Sequence, residues 1–105
     1  GMPHITVQGV SEDKLRAVAK PLKELFVDTT GVKAEYVKVF HSPIHRIDDE
    51  NEIAVDIYWM HRSQEMCDKV AEVITAFFKQ EETDFVQVTF TEFPGNLFYE
   101  NGTHS

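Results

Sequence analysis

The stretch Met2-Pro3-His4-Ile5-Thr6-Val7 decides how this chain is read. Pro3, Ile5 and Val7 alternate with His4, Thr6 and Gln8, the period of a strand with one buried face. Proline is tolerated at the first position of a strand, where a missing N–H breaks no ladder bond. The same proline carries a chemical expectation. Gly1 stands ahead of what reads as a natural initiator methionine, and is taken as an addition to a chain beginning Met-Pro-His. Proline is small enough for that methionine to be trimmed, which would leave Pro3 with a free secondary amine. Such a nitrogen takes a proton without any side chain. It serves as a base near neutral pH when burial or a nearby cation penalises its charged form.

Outward from this strand, helical and strand periods alternate. Ser11 is a good helix cap, followed by Glu12 and Asp13 in the first turn. Leu15, Val18, Ala19, Leu22, Leu25 and Phe26 then keep helical spacing, and Gly31 closes the helix. Pro21 inside this pattern predicts a kink or a lost hydrogen bond near Ala17. Tyr36 to Phe40 reads as a second strand, Ser42 to Glu52 as a polar loop, and Ile53 to Met60 as a third strand. Ser63 caps a second helix with the stripe Met66, Val70, Val73, Ile74, Phe77 and Phe78. Phe85 to Thr91 reads as a fourth strand, and residues 93–105 as an aromatic tail with turn signals at Pro94-Gly95 and Asn101-Gly102.

The order is β-α-β, loop, β-α-β, with two similar halves. Short strand–helix connections predict right-handed parallel crossovers and both helices on one face of a four-stranded sheet. The class is α+β, in one domain spanning residues 1–105. The third strand is bulky on both faces, which predicts that other subunits cover the open face. The same order also fits a ferredoxin-like binding module.

Composition narrows the function. A formal net charge of −8 argues against a nucleic-acid surface, though a local cation can still favour a small anion. No stretch reads as a signal peptide or membrane span, and the single Cys67 suits a reducing compartment, so a cytoplasmic location is expected. Cys67 reads as a packing residue, and Trp59 as core. His41, His45 and His61 have no HExxH or Cys–His spacing around them, so neither a metal nor a cofactor is expected.

The Pro-His start and the tail Gly95-Asn96-Leu97-Phe98-Tyr99-Glu100-Asn101-Gly102-Thr103 together resemble the tautomerase superfamily, which includes 4-oxalocrotonate tautomerase and macrophage migration inhibitory factor. The layout is most similar to an uncharacterised bacterial branch of it. The resemblance implies a mixed sheet with the first and third strands antiparallel. It also implies a homotrimer, a tail that reaches a neighbouring subunit, and active sites between subunits.

The implied activity is keto–enol tautomerisation of a small anionic substrate, with Pro3 as base. Such chemistry needs a donor for the enolate oxygen and an anchor for the carboxylate. The resemblance brings the end of the third strand, Tyr58 to Arg62, towards Pro3. Arg62 becomes the expected carboxylate clamp; its plainer reading is an ion pair with one of the 18 Asp and Glu residues. Lys33 is similar in place to a family lysine, displaced by one residue, and otherwise reads as a solvated loop lysine. Gln87 and Thr89 fall where the family has a tyrosine and an asparagine, and otherwise read as polar interface lining. Lys14 and Arg16 are only near the basic residue that 4-oxalocrotonate tautomerase has early in its first helix. The alternative reading is a non-catalytic oligomeric ligand-binding or interaction module.

Overall fold

The computed structural model of the chain describes residues 2–81 and 84–104. Gly1 and Ser105, the outer ends of the expected domain and tail, lie outside the described residues. Strand β1 (His4–Gln8) leads into helix α1 (Glu12–Thr30), a 3-10 turn at Ala34–Tyr36 and strand β2 (Lys38–Ser42). The second unit is β3 (Ile53–Met60), α2 (Gln64–Phe78) and β4 (Val86–Phe93). A second 3-10 turn, Gly95–Leu97, precedes a two-stranded hairpin of β5 (Tyr99–Glu100) and β6 (Thr103–His104). The main sheet has the order β2-β1-β3-β4. The outer pairs, β1 with β2 and β3 with β4, are parallel, whereas β1 and β3 run antiparallel.

Both helices start alike because both begin with the same chemistry. The Ser11 hydroxyl accepts from the Lys14 N–H at 3.2 Å, and the Ser63 hydroxyl accepts from the Met66 N–H at 3.1 Å. Helix α1 runs unbroken through Pro21. The proline deprives the Ala17 carbonyl of its usual donor, but both residues are solvent-exposed, so water can take that bond. The helix stops at Gly31, which adopts φ 76° while its N–H returns to the Val27 carbonyl at 2.8 Å.

The core lies between the helices and one face of the sheet. Ile5 and Val7 of β1 and Val55, Ile57 and Trp59 of β3 are buried there against Leu15, Leu22 and Phe26 of α1 and Val70, Ile74 and Phe78 of α2. Phe26 meets Trp59 with ring centroids 5.3 Å apart. The opposite face carries His4, Thr6, Ala54, Asp56, Tyr58, Gln87, Thr89 and Thr91, because side chains alternate along each strand.

Strand bounds shift at two places. Strand β2 starts at Lys38 rather than Tyr36, because residues 34–36 turn first and bring Val37 into the core at 1% exposure. It continues through His41, whose Nε2 lies 2.8 Å from the Val10 carbonyl oxygen. Strand β4 runs on to Phe93 because β3 still offers it a partner at Met60. The open face is also less apolar than the sequence suggests. Its middle is polar, and the chain's own tail folds over one corner, stacking Phe98 on Phe93 at 5.0 Å, while Phe93 packs at a tilt against Tyr58 at 4.8 Å. Asn101 and Gly102 make the tight hairpin turn, both with positive φ, as an Asn-Gly pair permits.

Gly9 links β1 to α1 with φ +92°, and a Cβ there would sit 2.0 Å from the Glu52 carbonyl oxygen. Gly9→Ala therefore combines a left-handed backbone with a backbone clash. It should lower unfolding free energy by roughly 2–4 kcal/mol in urea denaturation, whereas Gly31→Ala, with open space around its Cβ, should cost about 1 kcal/mol.

Candidate functional site

The antiparallel pairing of β1 and β3 aligns His4 with Tyr58. One step further, position 3 stands opposite Trp59. Pro3 is held there by the sheet: its carbonyl accepts the Lys38 N–H at 3.1 Å, and its side chain is fully buried with the core face of β1. Met2, half-buried, precedes it, so the Pro3 nitrogen is an amide in this chain. Removing Met2 would expose a secondary amine at the end of a rigid strand.

Arg62 lies just beyond the end of β3, at the same end of the sheet. Its guanidinium carbon sits 4.4 Å from the centroid of the Trp59 ring, and its Nη1 donates to the His61 carbonyl at 3.0 Å. Among the described residues no carboxylate lies within ion-pairing distance of Arg62; the ion pairs found are those of Arg16 and Arg46. The plain ion-pair reading of this arginine does not hold within the described chain. Glu92, the acid nearest in register, pairs instead with His61 Nδ1 at 3.0 Å. A half-buried arginine without a carboxylate partner, in a chain of net charge −8, is suited to an external anion.

Lys33 is exposed and precedes the turn that leads into β2. Since β2 runs parallel to β1 and Lys38 pairs with His4, this turn also lies towards the Pro3 end. Tyr58 is on the open face beside His4, with ring centroids 5.9 Å apart. Gln87 and Thr89 share that open face but are not brought to Pro3 of their own chain. They pair with Ala54 and Asp56, further along β3, and the Gln87 amide donates to Glu52. Only a neighbouring subunit could bring them to a proline.

The sequence reading missed Lys38 and the ring cluster around His4. Lys38 was read as part of the second strand, but which strand it would pair with was not, and the parallel register that sets it opposite His4 is not visible in local periodicity. His4 packs against Phe40 at 5.3 Å, Tyr58 and Phe98, leaving Nε2 buried and without a hydrogen-bond partner among the described residues. Burial holds its pKa below the ordinary 6.5, with Lys38 adding to the effect and Glu100 opposing it. Alternation with apolar residues was the available signal for His4; the tail's return over it was not encoded in any local pattern.

Other candidates have ordinary surroundings. Cys67 is half-buried, and burial, then Glu92 and Asp68, push its thiol pKa up, so it is poorly suited to act as a nucleophile. Among the described residues no three His, Cys, Asp or Glu side chains gather as a metal set. No helix among them is long and apolar enough to cross a membrane. A cavity of about 430 Å³ lies between α1 and β2, lined by Glu12, Arg16, Val39, His41 and Pro43. It is at the opposite end of the sheet from Pro3, and its Arg16 is already paired with Glu12 at 2.9 Å.

Residues 2–104 match the family DUF1904, a domain of unknown function. The crystal structure of a DUF1904 domain from Sebaldella termitidis superposes with a TM-score of 0.86 at 24% identity, covering 99% of this chain and 100% of that one. A member of the cis-3-chloroacrylic acid dehalogenase family, N1, gives a TM-score of 0.73 at 18% identity, covering 96% and 82%. A fused 4-OT, described as a wild-type asymmetric trimer, gives 0.71 at 15% identity, covering 96% and 94%. Curated proteins yield no match. The fold is that of the tautomerase and migration inhibitory factor superfamily.

His4 provides a test of the packing at this end. Its folded pKa lies below the unfolded value, so the unfolded chain binds the proton more readily. Its contribution to stability is full above about pH 6.5 and is lost as pH falls below that. His4→Phe keeps a ring but cannot charge. It should therefore show a smaller drop in melting temperature than the parent between about pH 7.5 and about pH 5, by calorimetry.

Proposed function

We propose that this chain, which belongs to the DUF1904 family, transfers protons on small carboxylate substrates, with Pro3 as the base once Met2 is removed. The observation that carries this reading is the half-buried Arg62, without a carboxylate partner among the described residues and stacked on the ring opposite position 3. In the reaction, the uncharged Pro3 nitrogen takes the proton from the carbon beside a ketone. The C–H electron pair becomes a C=C bond and the former carbonyl electrons move to oxygen. The protonated amine then returns the proton to that oxygen, giving the enol; the reverse course regenerates the ketone. Arg62 anchors the carboxylate by paired hydrogen bonds, and Lys33 adds a longer-range positive field.

The surroundings suit the lowered pKa this base requires. Burial of the proline ring penalises a charged Pro3 amine, and the cations Arg62, Lys33 and Lys38, which lie towards the same end of the sheet, add to that penalty in this reading. In this reading Tyr58 lines the site from its own chain, beside His4, and Gln87 and Thr89 join it from the open face of a neighbouring subunit. A homotrimer supports that arrangement, with the exposed Phe40, Leu97 and Tyr99 and the hairpin at 99–104 offering contacts to a neighbour. The protein is then a cytoplasmic single-domain oligomer with an anion site between its subunits.

The test is kinetic, on protein whose first residue is Pro3, confirmed by mass spectrometry. Turnover of at least one member of a panel of 2-oxo acids and haloacrylates is expected. Pro3→Ala should lower kcat/KM by about a hundredfold or more, and Arg62→Ala should raise KM by about tenfold or more. An unchanged rate in Pro3→Ala contradicts the reading. So does native protein that retains Met2, which instead favours a non-catalytic ligand-binding role.

A further inference from the structure

The tryptophan beneath Arg62 is not explained by packing alone. Trp59 is 2% exposed and is the single tryptophan of the chain. Its Nε1–H is buried and has no hydrogen-bond partner among the described residues. An orphaned donor is a penalty that a phenylalanine or leucine at the same core position would avoid. What tryptophan offers in return is the best aromatic face for a cation, and a guanidinium lies 4.4 Å from its centroid.

Arg62 has few other restraints. It follows the last strand residue by two positions and immediately precedes Ser63, the cap of α2, where the helix dipole disfavours positive charge. Among the described residues it has no carboxylate partner, and its hydrogen bond goes to the carbonyl of its own neighbour His61. The ring is therefore the anchor that ties this loop arginine to the sheet. Trp59 in turn is fixed twice: by Phe26 at 5.3 Å on the core side, and by the ladder that sets it opposite position 3.

We propose that Trp59 is a positioning residue. It holds the flat face of the Arg62 guanidinium, so that the edge N–H groups are preorganised for an incoming carboxylate near Pro3. Stacking uses the face of the guanidinium and carboxylate binding uses its edge, so one does not consume the other. This inference rests on the proposed role of Arg62 as the carboxylate anchor. The class of ligand it specifies is a small carboxylate, held by its charge and planar shape.

Because Trp59 is the lone indole, its emission reports the state of the arginine above it. Malonate, which is transparent at the exciting wavelength, should produce a saturable change in fluorescence in the full chain beginning at Pro3. Arg62→Ala should abolish that response. By calorimetry, Trp59→Phe should weaken malonate binding about threefold and Trp59→Leu about tenfold or more, the order expected of a cation platform. Arg62→Lys keeps the charge but loses the planar face, and should weaken binding similarly without disturbing the core. In an Arg62→Ala background, Trp59→Phe should have no further effect on malonate.

For any 2-oxo acid turned over, Trp59→Phe should raise KM while kcat changes little. Should Trp59→Leu fail to fold, Trp59→Phe and Arg62→Lys carry the test. A wild-type protein whose emission is indifferent to malonate overturns the inference. Folded Trp59→Phe and Arg62→Lys variants with parental malonate affinity also overturn it. Coupled malonate binding without turnover of any substrate supports the positioning role and contradicts the enzymatic reading.

Discussion

The antiparallel ladder between β1 and β3 is the constraint on which the molecule depends. It joins two β-α-β units that are each internally parallel, and so makes one mixed sheet from two repeats. Its register decides which side chains face the helices. Ile5, Val7, Val55, Ile57 and Trp59 all fall on the core side, and a slip of one residue would turn each of them to the open face. The same register sets the start of β1 against the end of β3, bringing residue 3 and the segment leading to α2 to one end of the sheet.

At that end the local electrostatics run against the average. The chain carries an excess of eight negative charges, yet Arg62, Lys33 and Lys38 all lie towards the end of the sheet where β1 begins, with Glu100 acting on His4 in the opposite sense and Glu92 hydrogen-bonded to His61. Surface ion pairs elsewhere, such as Arg16 with Glu12, are exposed and contribute about 0.5 kcal/mol or less. The stacked arginine differs because aromatic contact of this kind can contribute about 0.5–2 kcal/mol while leaving hydrogen-bond donors available. The proposed base, Pro3, is buried, and burial disfavours a charged amine.

Much of this was legible in the sequence. The Ser11 and Ser63 caps, the glycine stop at Gly31 and the period-two run from Ile53 to Met60 each depend on nearby residues, and each element formed where its local chemistry placed it. The mixed sheet came from resemblance, since periodicity does not state which strands pair. Features set by distant parts of the chain were hidden. The 3-10 turn at Ala34–Tyr36 took the start of the predicted second strand out of the sheet, the parallel β1–β2 register set Lys38 beside His4, and the tail covered a corner expected to need another subunit. Gln87 and Thr89 share a strand face, as period-two spacing requires, but their distance from Pro3 follows from the parallel β3–β4 register, which no local pattern reveals. Arg62 illustrates both limits: its position could be anticipated, whereas its stacking on Trp59 required the fold.

The central claim is that this sheet end lowers the proton affinity of an uncovered Pro3 nitrogen. The direct measurement is a pH titration of that nitrogen by NMR, with the proline labelled with ¹⁵N and Met2 absent. The account predicts a pKa clearly below that of an N-terminal proline in a short peptide, moving upward when Arg62 is replaced by alanine. A titration indistinguishable from the peptide, and unaffected by that replacement, would contradict it.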